Sequence, residues 1–160
     1  MVAVVAPCRG EDLPALRAFL QEHDALRVAR RGELVDTSQH PALLAWWDHD
    51  VVGVAGYLLD GHDCELLTLH SRSRFAGTGS ALLSAVRAVA VRAGCTRLTV
   101  VTTNDNVDAL RFYQRRGFRL ERLRPGAVAA SRETLKPEIP TRGAYGIPLR
   151  DELELVMDLP

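Results

Sequence analysis

A chain of 160 residues, 47% of them hydrophobic, is long enough to bury one core, and a single domain over residues 1–160 is expected. Lysine plus arginine and aspartate plus glutamate balance at 20 each, which excludes the broad basic field of a nucleic-acid or anionic-membrane binder. Cys8, Cys64 and Cys95 are too few and too widely spaced for a disulfide framework or a CxxC metal site, and no apolar run approaches the roughly 18 residues of a membrane span. The expectation is therefore a cytoplasmic protein with no metal and no nucleic-acid or membrane partner.

In chain order, Val2 to Ala6 reads as a short strand. Asp12 then caps a helix with Pro14 in its first turn and Leu13, Leu16, Phe19 and Leu20 on one face. Residues 25 to 41 lack a clear period and are expected to be a short helix and loop. Three strand-like runs follow, ALLAWWD (42–48), VVGVAGYLLD (51–60) and CELLTLHS (64–71), joined by links so short that they predict an antiparallel meander.

From about Thr78 to Ala93 the spacing predicts a helix with Leu82, Val86, Val89 and Ala93 on one stripe, Leu83 and Ala90 beside it, and Gly94 as its stop. TRLTVVT (96–102) is a strand, and its position after a strand and a helix predicts a right-handed crossover with parallel pairing. A second helix runs from Asn106 to Gly117, FRLERL (118–123) is a strand, and ELELVMDL (152–159) is the last strand. Between these two lies a long connection in which GAVAASRETLK (126–136) has the composition of a helix.

Two stretches carry the chemistry. RFAGTGSALLSAV (74–86) sits between a strand and a helix, so its amides belong to a first helical turn, where N–H groups lack intrahelical partners and the helix dipole is positive. Gly77 and Gly79 let a phosphate approach the main chain, Thr78 and Ser80 add hydroxyls, and Arg74 adds charge. A plain tight turn would also explain the glycines. The P-loop is excluded because no lysine follows, and the dinucleotide fingerprint is excluded because Leu82 stands where its third glycine belongs.

In NDNVDALRFYQRRGF (104–118), Asn106 and Ala109 share a helix face and Tyr113 lies two turns further along it. Asn106 can cap the helix and still offer an amide, and Tyr113 can donate a proton; an ordinary cap and a core aromatic are the alternatives. Trp46 and Trp47, adjacent on a strand, must face opposite ways, one into the core and the other, Trp47, open to a substrate cleft.

RxxGxG opening a helix after a strand (Arg74, Gly77, Gly79), followed by a strand and then NxxAxxxYxxxGF (Asn106, Ala109, Tyr113, Gly117, Phe118), resembles the GNAT N-acetyltransferase superfamily. The element order resembles that fold along essentially the whole chain. The resemblance implies an α/β fold with a central, mixed, mostly antiparallel sheet, splayed at its middle and flanked by helices on both faces. It implies acetyl-CoA as cosubstrate, with no metal, and transfer of an acetyl group to a primary amine of a small molecule or peptide by direct attack. A CoA-binding module of the same fold without catalysis is the alternative, and a homodimer is an open possibility.

By the same resemblance, Leu67, Leu69 and the segment Phe75, Ala76, Gly77, Thr78, Gly79 and Ser80 contact the cofactor with Arg74, Asn106 and Ala109, and Tyr113 stands by the thioester sulfur. The Leu69 N–H is the expected oxyanion donor. For the general base, Glu65 and His70 are the candidates; a solvated strand-end charge and a structural hydrogen bond are their alternatives. Cys64 has no evident activating base and reads as an inert thiol. Arg132 and Arg150, in the last connection, are expected to meet an acidic or polar acceptor, unless they are merely solvated.

Overall fold

The computed structural model describes residues 2–72 and 75–160. Nine strands and four helices follow one another as β1 (Val4–Pro7), α1 (Leu13–Glu22), β2 (Arg27–Arg30), β3 (Glu33–Asp36), β4 (Ala42–Trp47), β5 (Asp50–Asp60), β6 (Asp63–Ser71), α2 (Thr78–Arg92), β7 (Arg97–Thr103), α3 (Val107–Arg115), β8 (Arg119–Arg124), α4 (Ala127–Thr134) and β9 (Glu152–Asp158), with short 3-10 turns between. Seven strands form a mostly antiparallel mixed sheet in the order β1-β4-β5-β6-β7-β9-β8, and β2 pairs with β3 alone. The chain divides into two compact units: Met1–Arg27 with Asp36–Leu98 and Leu159–Pro160, and Val28–Val35 with Thr99–Asp158.

In the first unit the expected meander is present, with β1 against β4, β4 against β5 and β5 against β6, all antiparallel. Leu16, Phe19 and Leu20 of α1 pack on Ala42 and Leu44 of β4 and on Val51 and Val54 of β5. Val51 and Val54 share that face despite their odd spacing because the β4–β5 register slips by one between Ala45 and Trp46, placing a bulge at Val52. The opposite face carries α2, whose buried residues are Thr78, Leu82, Leu83, Val86 and Ala90. Two details of the expected helix faces are corrected: Leu13 is exposed, and so is Ala93, at the α2 C-cap.

Residues 25–41 are not a helix and loop. Arg31 and Gly32 both have positive φ (52° and 76°), the geometry of a tight hairpin turn joining β2 to β3. In the second unit that unusual Arg31 backbone is fastened from afar: its N–H donates to the Glu152 carboxylate at 3.0 Å, and its guanidinium pairs with Glu154. Arg124 of β8 bridges the same two carboxylates at 2.9 and 2.6 Å, so both buried acids on β9 are charge-compensated. The expected helix in the last connection is α4.

Candidate active site

In the first unit, β6 and the start of α2 carry the predicted residues. The β5–β6 register slips at Leu67: Thr68 faces Gly56 and Leu66 faces Tyr57, so Leu67 is the inserted residue of a bulge. The Gly56 N–H donates to Thr68 Oγ1 at 3.1 Å, and a Cβ on Gly56 would lie 2.8 Å from that oxygen. Glycine is needed there for the bond that holds the bulge. Plain alternation would put Glu65 and His70 on opposite faces; the bulge puts Glu65, Thr68 and His70 together on the α1 face. Leu66 and Leu69 take the other face, opposite Tyr57 and Ala55.

Glu65 is 5% exposed, so it is not a solvated strand-end charge. The His70 ring lies 5.4 Å from that of His23, which stacks on Phe19 and bonds the Phe19 carbonyl through Nδ1 at 2.9 Å. Burial, helped by His23, pulls the His70 pKa down to about 4, so its imidazole is neutral near pH 7 and a weak proton acceptor. Arg72 at the strand end is committed to Glu22 by a two-pronged ion pair at 2.9 and 3.0 Å. Burial pushes the Cys64 thiol up to about 12, which agrees with an inert sulfur.

At the mouth of α2, Gly77 is the N-cap with φ +85°, and no atom lies within 4 Å of where its Cβ would stand. The glycine therefore answers a backbone requirement on a bare, open surface, with no packing neighbour to explain it. The Phe75 N–H donates to the Arg72 carbonyl and the Thr78 N–H to the Phe75 carbonyl, so these two amides already serve the turn. The Phe75 side chain is fully buried, with Trp47 5.9 Å away, and Trp47 itself is partly exposed. Thr78 is buried against Gly53 of β5; Ala76 is exposed, and Gly79 and Ser80 are half-buried. Arg74 lies outside the described residues.

The second unit holds α3. Asn106 caps it through its side-chain oxygen, which accepts from the Ala109 N–H at 3.1 Å, as the sequence predicts; the Nδ2 donors take no part in the cap. Tyr113 is buried between Phe112 and Phe118, both edge-on at 5.3 and 5.2 Å. Burial alone drives its pKa up, so the phenol keeps its proton.

The residues flanking Asn106 were not singled out by sequence. Asn104 Oδ1 accepts from the amides of Arg150 and Asp151, both at 3.0 Å, and its Nδ2 donates to the Pro148 carbonyl. Asp105 accepts from the Ala144 N–H at 2.9 Å, and Asp108 accepts from the Tyr145 hydroxyl at 2.8 Å. Together they tie the last connection to the start of α3. The visible signal was the run of Asn and Asp at a strand-to-helix corner, the residue types that bond nearby main chain. Arg132, expected to meet an acceptor, is corrected: its guanidinium donates to the carbonyls of Ile139, Pro140 and Leu149, clasping its own connection. Arg150 is exposed.

The family model for the Acetyltransferase (GNAT) family matches residues 8–118. The uncharacterized protein YdhI of Bacillus subtilis is 44% identical over 104 residues, a match covering 65% of this chain and 64% of that protein, under two thirds of its length. Among solved structures, an IAA acetyltransferase from Bacillus cereus superposes with TM-score 0.72 at 22% identity, over 98% of this chain and 99% of that one. A GNAT family acetyltransferase from Elizabethkingia anophelis, with acetyl-CoA bound, gives TM-score 0.68 at 20% identity over 98% of each chain. At such identities the structures speak for the fold, and the family model speaks for descent: this chain belongs to the GNAT acetyltransferase family.

Proposed function

We propose that the chain moves an acetyl group from acetyl-CoA to a primary amine of a small molecule or peptide by direct attack within a ternary complex. The observation that carries this reading is the mouth of α2. There a left-handed glycine exposes main chain at a helix N-terminus, with open space where a side chain would stand. That arrangement suits a diphosphate, which accepts from amides with no intrahelical partner and is favoured by the helix dipole.

The amides from Ala76 to Ser80, with the Thr78 and Ser80 hydroxyls and Arg74, are the diphosphate cradle in this reading. Leu67 and Leu69 line the pantetheine arm, joined by Ala109 and the Asn106 amide. Bound there, acetyl-CoA supplies an activated acyl group and a thiolate leaving group. The amine nitrogen forms a C–N bond to the acetyl carbon and the C–S bond breaks. Tyr113, protonated by virtue of its burial, gives its proton to the departing sulfur and is reprotonated from solvent. A positioned general acid of this kind contributes about 10²- to 10⁴-fold. The Leu69 N–H receives the developing oxyanion, an interaction whose removal costs about 3 to 4 kcal/mol.

The amine's proton goes to Glu65 or His70. These sit two same-face steps apart beside the bulge, roughly 13 Å along the strand, too far to share one proton. The low pKa of His70 favours Glu65 for that role at neutral pH. Trp47 and Arg150 are the remaining acceptor-side candidates. Calorimetric titration with CoA, followed by thiol release from acetyl-CoA across a panel of amines, tests the reading. Saturable heat and amine-dependent thiol are expected. Absence of heat at millimolar CoA would overturn the cradle, and binding without turnover for any amine would leave a non-catalytic CoA module.

A further inference from the structure

β8 reads Arg-Leu-Glu-Arg-Leu-Arg and lies at one end of the strand order, with β9 as its sheet neighbour among the described residues. Five of its six residues are exposed, and Leu120 and Leu123 are 52% and 55% so. Leucines on an outer strand invite another strand. Sheets usually repel strangers there with charge and bulges, and β8 has both.

Its bulge changes what the charges do. Leu120 pairs with Leu155 but Arg122 with Glu154, so the register slips by one at Glu121. Leu120 and Leu123, three apart in sequence, thus stand on the same face as Leu155 and Leu153. Arg119, Arg122 and Arg124 stand on the other face, with Val156, Glu154 and Glu152. The strand is therefore self-complementary when reversed. About a two-fold axis between Glu121 and Arg122, each Leu120 lies opposite the other copy's Leu123, and each Glu121 opposite the other copy's Arg122. Arg119 falls opposite Arg124, but each is already compensated within its own chain. Arg119 pairs with Asp158 at 2.8 Å, and Arg124 pairs with Glu152 and Glu154. An arbitrary strand would meet unmatched arginines; a second copy meets matching charge.

We propose that β8 pairs antiparallel with β8 of a second copy of this chain, forming a two-fold dimer through a continued sheet. Four leucines cluster on one face and two Glu121–Arg122 pairs cross at the centre. The proposal does not depend on the acetyl-transfer reading.

Sedimentation velocity from about 1 to about 300 µM, a range that brackets a small interface, is the test. The wild type should shift from monomer towards dimer with concentration. Leu123→Arg should move the midpoint at least about tenfold higher, as should E121R and R122E singly. An equimolar mixture of E121R with R122E should associate again, because each then offers the charge the other lacks. This rescue separates a pairing defect from misfolding, and circular dichroism checks the fold of each variant. A wild type that stays monomeric at the highest concentration overturns the proposal. So does a dimer indifferent to all three substitutions, or a mixture no more associated than its parts.

Discussion

Gly53→Ala tests whether the packing under α2 sets the position of the diphosphate cradle. A Cβ built on Gly53 would lie 2.9 Å from Thr78 Cγ2, 3.0 Å from Leu82 Cδ1 and 3.3 Å from the Ala45 Cβ. The leucine methyl can swing aside. Thr78 has no such freedom, being β-branched, buried and the first residue of α2, so its methyl moves only if the helix start moves with it. Overpacking of this kind costs about 1 to 3 kcal/mol. For a domain of this length each kcal/mol lowers Tm by about 2 to 4 °C, so thermal melts should show a loss of roughly 2 to 12 °C. Because Gly77 precedes Thr78 in the chain, displacement by a few tenths of an ångström should also weaken CoA about 3- to 10-fold by calorimetry. Thr78→Ser removes the offending methyl, and the double variant should recover most of both losses, a coupling expected of residues in contact. Full Tm and unchanged CoA affinity in Gly53→Ala alone would refute the claim that this contact positions the cradle.

Three further outcomes are expected. Thr68→Val keeps the side-chain shape but removes the oxygen that accepts from the buried Gly56 N–H, so urea denaturation should report a loss of about 1 to 3 kcal/mol. Tyr113→Phe should lower turnover about 10²-fold or more while leaving CoA affinity within a factor of two, read from thiol release and calorimetry together. His70, neutral in the fold down to about pH 4 but protonated below about pH 6.5 once unfolded, makes the unfolded chain bind the extra proton between those values. Stability should therefore fall as pH drops from 6.5 to 4, by no more than about 3 kcal/mol, and His70→Gln should flatten the slope of urea midpoint against pH over that window.

Sequence periodicity was sufficient wherever an element's fate is decided by its own residues. The meander shows in its short links, and α2 in its apolar stripe ended by Gly94. The helix inside the last connection shows in GAVAASRETLK. What failed was decided elsewhere in the chain. The β2–β3 hairpin turns on Arg31 in a left-handed backbone, and the groups that hold it there are Glu152 and Glu154, more than a hundred residues away. Arg132 looked like a ligand for an anion because nothing in its own neighbourhood shows that the carbonyls of Ile139, Pro140 and Leu149 converge on it. Of the candidate site, the glycine turn and the α3 cap were legible because each is a local motif. The loop anchors Asn104 and Asp105 were visible as residue types but not as partners of residues some forty positions on.

The bulges at Val52, Leu67 and Glu121 are the strongest instance of this rule. A bulge is a relation between two strands, and reading one strand with period two assigns the wrong face to every residue beyond it. At Leu67 the consequence is chemical: alternation alone would place Glu65 and His70 on opposite faces, whereas the slipped register puts both on one face with Thr68 between them. The sequence does carry a trace of the cause, in Gly56. Glycine weakens a strand unless something must come close, and here the close group is the Thr68 hydroxyl, 2.8 Å from where a Cβ would be. Gly56 and Thr68 thus act as a pair: the glycine admits the hydroxyl, and the hydroxyl takes the N–H beside the register slip. The face on which either candidate base can act is set by that one hydrogen bond, two residues from His70 and three from Glu65, and neither candidate contributes to it.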